Sequence, residues 1–418
     1  MIKIDITNSW LNDKDYNKKL IKKSNEILCE LKEDNEVGFT DIPNEITKQE
    51  LTKIKKLAKY YQDKCDVFLV AGIGGSYLGA YSAIQMLKRK PKVEVKFVGL
   101  DFNAFSILET LKELKNKDVC VNIISKSGTT TETLIAFELI LSFMKKKYKN
   151  NDEYKNRIIF TTDSEKGYLR NLCNNENYQS LIVPNNVGGR YSVLTNVGLL
   201  PMAVAGINIE NVMNGAKNAF TYCFDSKIEN NPAMKYAISR YLLHSKKKKQ
   251  IEVTATFDNR FPAFLDWHQQ LFAESEGKNQ KGLFVSTAYY STDLHSIGQF
   301  MQEGTPIVFE TVFNVEQPET DVKLENLSEN SPIKYLEGKM LSDVNKSAIL
   351  GTIDAHSKEN TPVLSINLDS INETTFGELV FTLETACGIS AKLINVNPFN
   401  QPGVESYKKR MKENLLKK

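Results

Sequence analysis

Six hydroxyls, one glycine and one ammonium fall within nine residues, Ser125-Lys126-Ser127-Gly128-Thr129-Thr130-Thr131-Glu132-Thr133. The run follows an apolar stretch, Val119 to Ile124, and precedes a helical pattern starting at Leu134. Free N–H groups at a helix start, with the helix dipole behind them, favour a phosphate there. One Ser or Thr would suffice as a cap, and this run holds six. A second turn, Gly72-Ile73-Gly74-Gly75-Ser76-Tyr77, follows the apolar run Val67 to Ala71. Its glycines let backbone approach a ligand, and Ser76 adds a hydroxyl. A dinucleotide fingerprint would need glycine where Tyr77 stands, and no Gly-Lys-Ser/Thr phosphate loop occurs. The two turns together predict a site for a sugar or a single phosphate rather than a nucleotide.

Four further segments carry charge in shaped surroundings. Gly188-Gly189-Arg190-Tyr191-Ser192 presents a guanidinium from a tight turn; it can stabilise a developing anion or pair structurally with a carboxylate. Glu274 and Glu276 stand two apart at a helix end, so they point differently and at most one enters a site. A carboxylate against an apolar wall can act as a general base, although a charged helix end reads the same way. His295, in Ser291-Thr292-Asp293-Leu294-His295, suits proton transfer or a solvated loop equally. Asn397 to Lys408 is a Pro- and Gly-shaped turn flanked by two donors, Gln401 and Lys408. Of the other histidines, His268 reads as a packed core residue, and His244 and His356 as incidental.

These residues need a scaffold, and the pattern supplies one. Lys14 to Leu31 and Ile46 to Tyr61 have helical spacing. Strands are expected at Val67–Ala71, Val93–Gly99, Val119–Ile124, Arg157–Thr161 and Ser180–Val183, alternating with helices. That alternation predicts a parallel sheet with its ligand crevice at the carboxyl ends of strands. After Leu199 the pattern restarts, with helices at Met234–His244 and Thr375–Thr385. Strands are expected at Ile251–Thr256, Gly282–Thr287, Ile307–Glu310, Val363–Asn367 and Ala391–Val396. Lys246 to Lys249 reads as a solvated turn and Glu405 to Lys418 as a basic helix. The division is a helical extension at 1–45, α/β domains at 46–199 and 200–395, and a terminal turn and helix at 396–418.

Composition narrows the class. At 418 residues the chain exceeds a usual single core. A net charge of +3, from 54 basic and 51 acidic residues, gives no reason to expect a nucleic-acid partner. Six cysteines without a C-x-x-C pair argue against zinc and redox motifs and suit a reducing cytoplasm. The N-terminus lacks a signal-peptide core, and no apolar stretch is long enough for a bilayer, so no membrane partner is expected.

Taken together, the segments from about Val67 to Lys408 resemble the glucose-6-phosphate isomerase family, in particular its shorter bacterial branch. Asn185-Asn186-Val187-Gly188-Gly189-Arg190-Tyr191-Ser192 and Phe399-Asn400-Gln401-Pro402-Gly403-Val404-Glu405, followed by Lys408, carry most of the likeness. The resemblance implies an α/β fold of two sugar-isomerase-type three-layer αβα sandwich domains. Each would have a five-stranded parallel sheet, with helical extensions at both ends of the chain. It implies reversible aldose–ketose exchange between glucose 6-phosphate and fructose 6-phosphate through an enediolate, with no cofactor and no metal. Glu274 matches the family's base, Arg190 the enediolate-stabilising arginine, and His295 and Lys408 the ring-opening residues. Gly75, Ser76, Ser125, Lys126, Ser127, Thr130 and Gln401 match phosphate or sugar contacts. The partners implied are a small sugar phosphate and a second copy of the chain, in a dimer whose site takes His295 from the neighbour. A non-catalytic sugar-phosphate sensor would need the phosphate turns but not Glu274, Arg190, His295 and Lys408 together. An isomerase that also accepts mannose 6-phosphate fits the same residues.

Overall fold

A computed structural model describes residues 1–149 and 152–417; Lys418, in the expected terminal helix, lies outside them. Among the described residues, ten strands form two five-stranded sheets. In chain order they are β1 (Lys3–Asp5), β2 (Val67–Ala71), β3 (Glu94–Val98), β4 (Val119–Ile124), β5 (Ile158–Thr162), β6 (Gln179–Ile182), β7 (Ile251–Thr256), β8 (Phe284–Tyr289), β9 (Val308–Val315) and β10 (Val363–Leu368).

The first sheet has the order β3-β2-β4-β5-β6 and is parallel throughout. Its central strands β2, β4 and β5 are buried along their whole length, so they read as largely apolar runs, broken only by Asn122 in β4 and by Thr161 and Thr162 at the end of β5. The chain leaves β2 for β3 on one side and returns to β4 on the other. That reversal is a topological switch point, where loops diverge and leave a crevice at the carboxyl ends of the strands. Both hydroxyl- and glycine-rich turns leave from this point, one after β2 and one after β4.

The second sheet has the order β1-β10-β9-β7-β8 and repeats the plan, with β7 and β9 flanking its own reversal. Four strands are parallel. The fifth place is taken by β1, which runs antiparallel to β10 with Ile4 opposite Ile366. The strand expected at Ala391–Val396 does not form. Its first residues complete a buried 21-residue helix, Glu373–Leu393. A short apolar run has no period that separates strand from buried helix, and here helix packing decides.

The helix expected from Lys14 starts at Lys18, where the Asn17 side chain accepts the Leu20 N–H at 3.1 Å. Lys246 to Lys249 is not simply a solvated turn. Lys249 is 1% exposed and donates to the carbonyls of Pro306 and Asn360, and Lys246 pairs with buried Asp15. No described helix is long and apolar enough to cross a membrane.

Candidate active site

Arg190 is the centre of the site. It lies in a single 3-10 turn, Gly189–Tyr191, and is 1% exposed despite its charge. A buried guanidinium needs acceptors for its fixed fork of donors. Nε donates to Ser275 Oγ at 2.7 Å and Nη1 to Gln401 Oε1 at 2.7 Å. Nη2 donates to the carbonyls of Pro398 and of Asn400, the latter at 3.1 Å. One side chain thus joins the Gly188 turn, the end of the helix Pro262–Glu276 and the turn at 398–401.

Glu274 lies beside it, with Oε2 3.7 Å from Nη1 of Arg190. Its carboxylate also accepts from Gln270 Nε2 at 3.1 Å, one turn earlier on the same helix. Its side chain is 23% exposed, so a ligand can reach it. Glu276 faces the opposite way, as the i, i+2 spacing requires. It is buried against Arg240, which also binds Glu252 at 2.7 Å. Only one of the two carboxylates therefore meets Arg190.

The glycine turn after β2 packs onto this pair. A Cβ at Gly75 would lie 2.1 Å from the carbonyl oxygen of Gly189, and one at Gly74 would lie 2.9 Å from Gln270 Nε2. At Gly75 backbone must touch backbone, and only glycine permits it; Gly74 meets only a side-chain end but has a φ of 59°. Ser76 follows, partly exposed.

The hydroxyl run after β4 forms a closed turn at the start of the helix Thr131–Lys147. Ser125 Oγ lies 3.0 Å from Thr130 Oγ1 and accepts the Gly128 N–H; Ser127 Oγ accepts the Thr129 N–H, each at 3.2 Å. Gly128 has φ 65°, and a Cβ there would meet the Leu169 nitrogen at 2.9 Å. Lys126 reaches across to the carbonyls of Asn185 (2.7 Å) and Val187 (3.0 Å), tying this turn to the segment that carries Arg190. Burial lowers its amine below the usual lysine range.

The remaining expected residues stand further out. Lys408, on the helix Gly403–Leu416, pairs with Glu405 at 2.9 Å. The Tyr407 hydroxyl donates to Glu132 at 3.3 Å and fastens that helix to the hydroxyl turn. His295 ends a 3-10 turn after β8 and is exposed, and among the described residues it makes no hydrogen bond to Arg190 or Glu274. The chain therefore brings Arg190, Glu274, Gln401, Gly75 and Lys126 into one contiguous network and leaves His295 on the surface.

Some supporting residues were not legible in the sequence. Ser275 sits between the two acids and accepts the Arg190 Nε–H. Gln270 stands at i−4 from Glu274, a spacing that could have revealed it. Lys278 donates to the carbonyls of Ser275 and Asn397, at 2.7 Å each, and burial lowers its amine to about 8. His268, expected as a core residue, is buried and stacks on Phe272 at 4.5 Å. His356 is not incidental: it is buried and lies 2.8 Å from Glu310.

The phosphoglucose isomerase family model matches residues 59–418. A glucose-6-phosphate isomerase of Caldanaerobacter subterraneus subsp. tengcongensis is 45% identical over 386 residues, covering 90% of this chain and 85% of that protein. One from Clostridium tetani is 43% identical, covering 90% and 86%. Among solved structures, a hypothetical protein of Thermus thermophilus superposes with a TM-score of 0.90 at 26% identity, over 100% of both chains. A glucose-6-phosphate isomerase of Chlamydia trachomatis shares the fold, with a TM-score of 0.84 at 16% identity, over 99% of this chain and 88% of that one. With a match over most of its length and relatives this similar, the chain belongs to the phosphoglucose isomerase family.

Proposed function

We propose that this chain interconverts glucose 6-phosphate and fructose 6-phosphate through an enediolate. The observation that carries the reading is one partly exposed carboxylate, Glu274, beside a buried guanidinium, Arg190, against which the glycine turn after β2 packs. Moving a proton between adjacent carbons needs one base, and the oxyanion formed on the way needs a fixed cation. In this reading Glu274 takes the proton from carbon 2 of the aldose and returns it to carbon 1. Arg190, held rigid by its four acceptors, stabilises the enediolate charge without reorganising. Ser125, Lys126, Ser127 and Thr130, with Gly75 and Ser76, hold the phosphate, whose binding orients the reacting carbons. Gln401 contacts the sugar.

Lys408 and His295 open the sugar ring. His295 is supplied by a second copy of the chain in a homodimer, which agrees with its exposure beside exposed Ile297 and Phe300. Five buried free cysteines suit a reducing cytoplasm.

The test is a coupled assay that reads glucose 6-phosphate formed from fructose 6-phosphate, with Glu274→Gln alongside. The variant keeps shape and the Gln270 contact but cannot take a proton. Turnover should fall by about 10²–10⁴ while sugar-phosphate affinity is retained. Turnover within a few-fold of the native protein would remove Glu274 from the role of base.

A further inference from the structure

The helix Lys48–Gln62 faces a cleft of about 720 Å³ that contains none of the residues placed in the active site. Its other wall is the turn at Lys155-Asn156 and the start of β6, an edge strand. A volume of this size lies within the range of small-molecule sites.

The charge pattern of the helix is uneven. Away from the cleft, Lys55 pairs with Glu210 at 2.6 Å and Lys59 with Asp63 at 2.9 Å. Lys48, Lys53 and Lys56 line the cleft, and none of them forms an ion pair among the described residues. Lys155 on the opposite wall is already neutralised by Glu176 at 2.8 Å. The unneutralised positive charge is therefore concentrated on one side of the cleft.

The rest of the lining is mixed, with Leu57 and Tyr61 beside polar side chains. Thr52, Asn156, Asn177 and Gln179 offer hydroxyl and amide groups. Tyr60, 41% exposed, adds an aromatic ring that the Lys64 ammonium already overlies at 4.9 Å, and its hydroxyl donates to the Asn156 carbonyl at 3.2 Å. Lys53 and Lys56, three residues apart, are neighbours on the helix surface. Lys48 lies roughly 12 Å along the axis from Lys56 at about 1.5 Å per residue.

We propose that this cleft is a second binding site, for a phosphorylated, hydroxyl-rich metabolite. Lys53 and Lys56 clamp the phosphate, and the amides and Tyr60 receive the body. The inference is independent of the roles given to Glu274 and Arg190.

Calorimetric titration of the full chain with ribose 5-phosphate and with inorganic pyrophosphate tests it. Three proteins are compared: the native chain, Lys53→Gln/Lys56→Gln, and a control, Lys18→Gln/Lys19→Gln, on the helix Lys18–Glu33. For ribose 5-phosphate, the cleft variant should lose one binding event or weaken it at least tenfold. The control should match the native isotherm, and turnover of fructose 6-phosphate should be unchanged in both variants. An isotherm untouched by the cleft variant overturns the site. Equal weakening in the control shows diffuse charge and also overturns it. Cleft-dependent binding of pyrophosphate without ribose 5-phosphate refutes the ligand class.

Discussion

Replacing Arg190 by Lys keeps the charge and removes the fork, and so separates electrostatics from geometry. Arg190 satisfies four acceptors: Ser275 Oγ, Gln401 Oε1 and the carbonyls of Pro398 and Asn400. An ammonium on a flexible stem can serve one or two of them. Ser275 can turn to the Tyr191 hydroxyl, 3.3 Å away, and exposed Gln401 can turn to water. That leaves the two carbonyls, of buried Pro398 and of exposed Asn400, and a buried one costs about 1–3 kcal/mol if it loses its donor. With water or the new ammonium reaching one of them, the net loss comes to about 1–3 kcal/mol. The unfolding free energy from a urea titration of each protein measures it. The catalytic loss should be separate and of the size seen when one oxyanion donor is removed, about 10²–10³ in kcat. An unfolding free energy within about 1 kcal/mol of native, with near-native kcat, would refute the view that the fork organises the site.

Three other outcomes are expected. Gly75→Ala drives a Cβ into the Gly189 carbonyl, whereas a Cβ at Gly189 meets nothing within 4 Å. Thermal melts should therefore show a much lower Tm for Gly75→Ala than for Gly189→Ala, and equal values would contradict the backbone contact. Burial holds His268 down at about 3, so the native state stays neutral where the unfolded chain takes up a proton. Its stabilising contribution is whole above about pH 6.5 and is lost as pH falls toward 3. His268→Phe should flatten the stability–pH curve between about pH 6 and 4; an unchanged slope would show that other groups set it. If His295 is shared between subunits, mixing Glu274→Gln and His295→Ala proteins under proven exchange should restore part of the activity, and no recovery would count against a site shared between subunits.

Legibility in the sequence followed the range of the interactions concerned. β2, β4 and β5 could be read because burial on both faces makes each a largely apolar run, and the turns after β2 and β4 because their glycines and hydroxyls cluster within a few residues. Glu274 could be separated from Glu276 only as one of two, since the partner that buries Glu276, Arg240, is 36 positions away. The acceptors around Arg190 were hidden for the same reason: Gln401 lies 211 positions from it and the Pro398 carbonyl 208. Lys249 looked solvated because its partners are main-chain carbonyls, which leave no trace in residue type. β1 is three residues long, too short for any period to show.

That short strand bears on the order in which the molecule can be built. Its partner β10 comes late, and Lys3 reaches Asp369 across a separation of 366 positions. During synthesis the first strand emerges long before there is anything for it to join. The first sheet draws all five strands from residues 67–182 and can close while translation continues. The second must wait, with the edge of β10 open until the beginning of the chain returns to cover it. Pairing across such a separation is slow because the loop must close before any contact is made. The two sheets therefore share a plan but not a timetable: the first assembles locally, and the second is finished by a strand that precedes all the others of both sheets in the chain.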